Sequence, residues 1–254
     1  MRILLRTDAL LLLCLAFTQA ALAGSVSVAA AANLVYVLEP LNAEFSKTVP
    51  GVTVTSEIGA SGSLVAQIQN GAPYDVFLSA DTEYPQKLVK GGGADAASLV
   101  TFARGRLVLW TTRPGLGLGS VESVVRDASV SKLAIANPST APYGRAAQEV
   151  LARLGLSDVA KAKLVFGENI TQTAQFVSSG NADAGFVALS LVLSPKLADK
   201  GRWIEVPQGL YSPISQAGVL TLRGAASPAA RRYLEFLTTP AARAVFAKFG
   251  YSSP

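Results

Sequence analysis

The 254-residue chain contains no histidine, a single cysteine (Cys14) and a single methionine (Met1). Without histidine or a second thiol, the usual nucleophile–base pairs and most zinc sites cannot be assembled. An internal disulfide is excluded by the same count. Charged residues make up only 15% of the chain, and the basic excess, a formal net charge of +5, forms no runs. That leaves no footprint for nucleic-acid binding. A mild positive field is still suited to steering a small anion.

Long hydrophobic runs are also scarce. The first, residues 9–17, follows Arg2 and Arg6 and precedes Ala21-Leu22-Ala23, with small residues at −3 and −1 before Gly24. This is the pattern of a secretory leader, with the cut expected after Ala23. The run is short for a bilayer span, and Leu13 ahead of Cys14 does not fit a lipoprotein signal. Losing residues 1–23 of 254 leaves 231 and removes Arg2, Arg6 and Asp8, so the charge falls from +5 to +4. It also removes the only cysteine and methionine. No later run is long or apolar enough to span a membrane. The expected product is exported to the periplasm and held together by its core alone, for which its length is ample.

What is present centres on residues 56–81, SEIGASGSLVAQIQNGAPYDVFLSAD. Residues 52–58 are rich in β-branched side chains and read as a strand. Gly59 to Ser63 are too small and flexible to continue it. Residues 64–69 carry apolar side chains at helical spacing, and Val76-Phe77-Leu78 suits a strand buried on both faces. Strand, small-residue turn, helix, strand is a βαβ unit. Its turn sets Ser61, Gly62 and Ser63 at a helix N-terminus, where free N–H groups and the dipole favour an anion without a cationic side chain.

The same rhythm runs through the chain. Residues 25–32 form a first strand, with Asn33 a candidate N-cap for a helix whose apolar face is Leu34, Leu38, Leu41 and Phe45. Pro40 predicts a kink or break in that helix. Asp81 is read as the cap of a helix through Leu88. Strands are expected at 106–111, 133–136, 163–166, 184–189, 203–206 and 215–222, with helices at 142–154, 170–178, 228–237 and 240–249 and a short one capped by Ser120. Thr239 before Pro240 is a strong helix start. Alternating strands and helices predict an α/β architecture of two lobes, each a mostly parallel sheet flanked by helices. Lobe one takes residues 24–105 plus 214–254 and lobe two residues 106–213. The chain crosses near 104–107 and 212–217, which makes a hinge with a ligand cleft between the lobes.

Four loop-to-helix junctions follow carboxyl ends of strands, at Ala32-Asn33, Ser61-Gly62-Ser63, Ala141-Pro142-Tyr143-Gly144 and Glu168-Asn169-Ile170. In open α/β sheets that edge binds ligands. Two junctions belong to each lobe, so they can face one another. Each is also an ordinary helix start, and capping and ligand binding use the same N–H groups. Other motifs carry less. Asp75 and Asp81 are about 20 Å apart along a strand, too far for paired catalytic carboxylates. Gly115-Leu116-Gly117-Leu118-Gly119 is no dinucleotide fingerprint. Asn169-Ile170-Thr171 is a chance-level glycosylation pattern, and Trp110 and Trp203 are read as packing residues.

The stretches AAAANL (29–34), GASGSLVAQIQNGAPYDVFLSAD (59–81), LAIANPSTAPYGRAAQEVL (133–151), GENITQTAQFV (167–177), NADAGFVALS (181–190) and TPAARAVFAKFGY (239–251) together resemble the periplasmic molybdate-binding proteins of ABC importers. The resemblance implies a type II periplasmic binding protein fold that is no enzyme and has no cofactor. It holds molybdate or tungstate through neutral hydrogen-bond donors, with no side chain ligating the metal directly, and partners a membrane permease as a monomer. Carried over by position, it implies ligand contacts from Asn33, Ser61, the main chain of Tyr143 and the backbone N–H of Ile170, with Ala32 and Ala188 lining the site. Many members have a serine near Ala32, so Asn33 is expected to take that contact. Some have a ligand-contacting tyrosine at Ala188, which the phenol of Tyr143 is expected to replace. Binding of another tetrahedral oxyanion, sulfate or phosphate, is the nearest alternative. An exported hydrolase using Ser61 or Ser63 is more distant, since it lacks a base, a G-x-S-x-G elbow and a lysine partner.

Overall fold

The structure, a computed structural model, describes residues 24–254; the leader and its cut after Ala23 lie outside the described residues. Ten strands form two five-stranded sheets. The strands are β1 (Gly24–Ala31), β2 (Val52–Gly59), β3 (Val76–Ser79), β4 (Val100–Gly105), β5 (Leu107–Thr111), β6 (Leu133–Ala136), β7 (Leu164–Gly167), β8 (Ala184–Ala188), β9 (Arg202–Glu205) and β10 (Ile214–Leu220). The first sheet has the order β2-β1-β3-β10-β4 and the second β7-β6-β8-β5-β9. The fold is therefore two-lobed α/β, as the strand–helix rhythm predicts.

In each sheet four of the five strands run one way. β1 pairs parallel with β2 and β3, while β10 is antiparallel to both β3 and β4. The second sheet repeats the arrangement with β5 as the reversed strand. The reversed strand in each case is the one that arrives from the other lobe. It enters at the interlobe end and must run against its neighbours.

β4 is a strand the pattern reading misses: the strand expected at 106–111 covers only β5. The chain passes straight from β4 to β5 through Arg106, changing sheet without a turn. The helix expected behind Asn33 also divides. Ala32–Leu34 is a 3-10 turn, and the α-helix Leu38–Thr48 starts afresh behind it. Pro40 falls in that helix's first turn, where its missing N–H has no intrahelical partner to lose. Leu34, Leu38, Leu41 and Phe45 are all buried, as expected.

β1 turns Val26, Val28 and Ala30 towards the helices Leu38–Thr48, Pro228–Phe236 and Pro240–Lys248. Ala29 faces the other way, onto Leu64, Val65 and Phe77. The second lobe's core extends across the cleft to Ala31, Ala32, Ala60 and Ala80. These alanines close the carboxyl ends of β1, β2 and β3, and their small size lets the lobes meet.

Close approach also governs Gly144 in the start of helix Pro142–Arg153. A Cβ there would sit 2.1 Å from the carbonyl oxygen of Ala136 and 3.0 Å from the nitrogen of Pro138. Both are backbone and cannot swing aside. Gly144→Ala is expected to destabilise the protein by about 1–3 kcal/mol, read as a lowered midpoint in chemical denaturation. An unchanged midpoint would show that the loop yields freely.

Candidate functional site

The carboxyl ends of β1, β2, β3, β6 and β7 converge on one cavity between the lobes. It is lined by Ala31, Ala32, Asn33, Gly59, Ala60, Ser61, Ala80, Ala141, Pro142, Tyr143, Asn169 and Ile170. None of its lining side chains is ionisable near neutral pH. Among the described residues there is no group of three or more His, Cys, Asp or Glu placed to hold a metal ion.

Three of the four helix starts at the cavity have no side-chain cap. The N-cap residues are Ala31, Ala60 and Ala141, and none supplies a side-chain hydrogen bond. Alanine is among the poorest N-caps. Elsewhere the starts are mixed: Ser120, Ser227 and Thr239 each cap their helix with a hydroxyl, while Val37, Leu156 and Ala188 supply no side-chain cap. At the cavity the first-turn N–H groups, which no helix satisfies internally, are left for something else. The fourth start is capped, but only in part. Asn169 Oδ1 accepts the N–H groups of Thr171 and Gln172, both at 3.0 Å, leaving that of Ile170. Gly62 N–H is already used across the cleft, donating to Thr140 O at 2.9 Å.

Ser61 is 1% exposed and opens helix Ser61–Gln69. Its Oγ accepts the Ala80 N–H at 3.1 Å, so its own proton remains to be donated. Ser63 does not line the cavity. The contact expected from the Asn33 side chain is different in the structure. Asn33 Nδ2 donates to Gln216 Oε1 at 2.8 Å and to the Tyr251 hydroxyl at 2.7 Å. Both amide hydrogens are spent, and what Asn33 can turn to an anion is its main-chain N–H.

The phenol of Tyr143 likewise goes elsewhere. A Cβ on Gly105 would sit 2.1 Å from its oxygen, so the ring extends to the lobe crossing at the end of β4. The reason is its place as the second residue of helix Pro142–Arg153, which puts the main chain at the cavity and the side chain beneath it. Ala188 is buried at the end of β8, opposite Leu107, and is not in the cavity wall. Ala32 and Ile170 do line it. Among the described residues, two buried side-chain polar atoms have no hydrogen-bond partner, Asn33 Oδ1 and the Tyr143 hydroxyl.

Burial pushes the Tyr143 phenol well above its usual value, helped by the neighbouring Tyr251 and Tyr211. Burial likewise pushes Tyr251 up to about 12, against hydrogen bonds to Ser190 and Asn33 that pull it down. Both stay neutral at physiological pH, so neither places a negative charge beside the cavity.

Several residues around the site gave no signal in the sequence. Arg145 crosses the cleft to pair with Asp81, lies 3.5 Å from Glu83 and stacks 5.2 Å from the centre of the Tyr84 ring. Asp81 also accepts the Tyr84 N–H, in keeping with its expected capping role. Tyr84 donates to Ser139 O at 3.0 Å and Thr171 Oγ1 to Ala32 O at 2.9 Å, each from one lobe to the other. These contacts clasp the lobes around the cavity. Only a three-dimensional register could bring Arg145 to Asp81, 64 residues away.

A hinged two-lobe α/β protein with a buried pocket of helix N-termini is a receptor for a small solute. The family described as bacterial extracellular solute-binding protein matches residues 26–252, and the chain belongs to it. The molybdate-binding protein ModA of Azotobacter vinelandii is 44% identical over 232 residues, 91% of either chain. ModA of Rhodobacter capsulatus is 42% identical over 231 residues, 91% of this chain and 89% of the other. The solved Azotobacter vinelandii periplasmic molybdate-binding protein has a TM-score of 0.84 at 37% identity, covering 90% of this chain and 99% of that one. The sulfate-binding protein SubI of Mycobacterium tuberculosis, at 16% identity and a TM-score of 0.78, covering 91% of this chain and 87% of its own, shares the fold.

Two mutational outcomes follow from this geometry. Ser61→Ala is expected to weaken oxyanion binding about tenfold or more, by removal of a hydrogen bond to charge, while Ser63→Ala stays within about twofold; equal losses in calorimetric titration would refute the assignment. Arg145→Ala is expected to speed ligand release about three- to tenfold, with association little changed, as interface losses usually are. Stopped-flow traces with wild-type release would show that the clasp does not hold the closed form.

Proposed function

We propose that the chain captures molybdate in the interlobe cavity and delivers it to the permease of an ABC importer. The observation that carries this reading is the set of buried helix starts capped by alanine, in a cavity with no ionisable lining side chain. Such a site offers donors to an anion and no carboxylate to repel it. Molybdate is a tetrahedral dianion with no proton to donate at neutral pH, so donors alone match it. The chain is a binding protein and not an enzyme.

The contacts we assign are the Ser61 hydroxyl and N–H, and the main-chain N–H groups of Asn33, Tyr143 and Ile170, with Ala32 in the wall. Hydrogen bonds to charge contribute roughly 1.5–3 kcal/mol each. A handful, after desolvation and ordering losses, reaches the roughly −8 kcal/mol of micromolar binding. Tungstate has the same charge and shape and is expected to bind as well. The working form is a monomer whose lobes are residues 24–105 plus 214–254 and residues 106–213, released to the periplasm by a cut after Ala23.

Thermal melts in molybdate, tungstate, sulfate and phosphate test the ligand. At a hundredfold excess over Kd a ligand adds about 2.7 kcal/mol of stability, which at this size raises Tm by roughly 5–10 °C. Molybdate and tungstate are expected to do so. A shift with sulfate or phosphate but not molybdate would replace the ligand, and no shift with any of the four would overturn the oxyanion reading.

A further inference from the structure

Gln216 lies in β10, the strand that returns from the second lobe, at an irregularity in its pairing with β4. It is fully buried and is not part of the cavity wall. Every polar atom of its amide is engaged. Oε1 accepts from Asn33 Nδ2 at 2.8 Å, while Nε2 donates to Ile214 O at 3.0 Å and, more weakly, to Ala80 O at 3.4 Å. Ala80 in turn donates its N–H to Ser61 Oγ. One amide on the crossing strand thus reaches two separate parts of the cavity wall, the first loop through Asn33 and the Ser61 hydroxyl through Ala80.

We infer that Gln216 is a positioning residue for oxyanion binding. It aims the Asn33 main chain and the Ser61 proton at the ligand and ties both to the strand about which the lobes move. Asn33 is the better fixed of the two. Tyr251 holds its amide from the other side, and Ser190 of the second lobe donates to its carbonyl at 2.8 Å. With both Asn33 amide hydrogens occupied, the turn cannot rotate its side chain into the cavity. The neutral amide is also required by charge. A carboxylate of the same shape could still accept from Asn33, but it could not donate to the carbonyls of Ile214 and Ala80 and would set a negative charge behind the anion.

This inference rests on the oxyanion reading, and Gln216→Glu and Gln216→Leu test it by titration with molybdate. A buried glutamic acid has a raised pKa, and a nearby dianion raises it further. The protonated acid can still accept from Asn33 and donate its one hydrogen to Ile214 O, the nearer of the two carbonyls. Gln216→Glu is therefore expected to bind nearly as wild type at low pH and to lose affinity as pH rises through its pKa, with proton uptake on binding. From about pH 6 to about pH 9, a range that brackets buried carboxyls, wild type and the surface control Gln86→Glu are expected to stay flat. Gln216→Leu, which makes none of these bonds, is expected to lose about 10- to 100-fold at every pH, the range seen when an outer hydrogen-bonding partner of a metal site is removed. A purely structural role would lower Tm in the ligand-free variants without any pH-dependent affinity. If wild type binds molybdate and Gln216→Glu shows a flat profile without proton uptake, the inference is overturned while the oxyanion reading stands. If wild type binds no oxyanion, both fall.

Discussion

Taking a doubly charged ion out of water is the costliest event this molecule has to accommodate, because an isolated charge in a low-dielectric interior loses tens of kcal/mol of solvation. The cavity replaces water with N–H and O–H groups already pointing inward. Ala31, Ala60 and Ala141 leave their helix starts uncapped, and Ser61 keeps its proton because Ala80 occupies its acceptor side. Leaving donors unsatisfied in the empty protein is a standing instability. It is tolerable because the ligand removes it.

The rest of the architecture serves that arrangement. Two sheets point the carboxyl ends of their strands at each other, and small residues at those ends let the lobes approach. β10 and β5, each returning from the opposite lobe, run against their neighbours and connect the halves. The ionised side chains near the cleft are kept outside the cavity and paired, as Arg145 is with Asp81. The local field at the ligand therefore comes from peptide dipoles, which cannot titrate, and from phenols that burial keeps neutral.

Much of the fold was legible in the residues. Strand β6, a short apolar run bounded by turn residues, coincides with the pattern reading, as do the helix Ile170–Ser178 and the Thr239-Pro240 start, which carry a clear cap or proline. β4 was not legible, since a chain that changes sheets without a turn leaves no punctuation. Short helices such as Ser157–Lys161 and Leu189–Val192 are too brief to show a period. At the site, the four junctions were readable as helix starts, and the structure brings all four to one cavity. The directions of the side chains were not. Asn33 and Tyr143 both turn away from the cavity towards the crossing strands, and Ala188 lies outside its wall.

What the sequence determined alone is the chemistry on offer: no histidine or paired thiol, small residues at strand ends, and helix starts rich in backbone donors. Those are local properties of the chain, set by composition and by spacing within a dozen residues. Tertiary structure decided which donors remain for the ligand. That depends on partners far away in the chain, as when Gln216 and Tyr251 claim the Asn33 amide across 183 and 218 residues. A hydrogen-bond donor can be recognised from its residue type, but whether it is spent or spare is known only once its neighbours are in place.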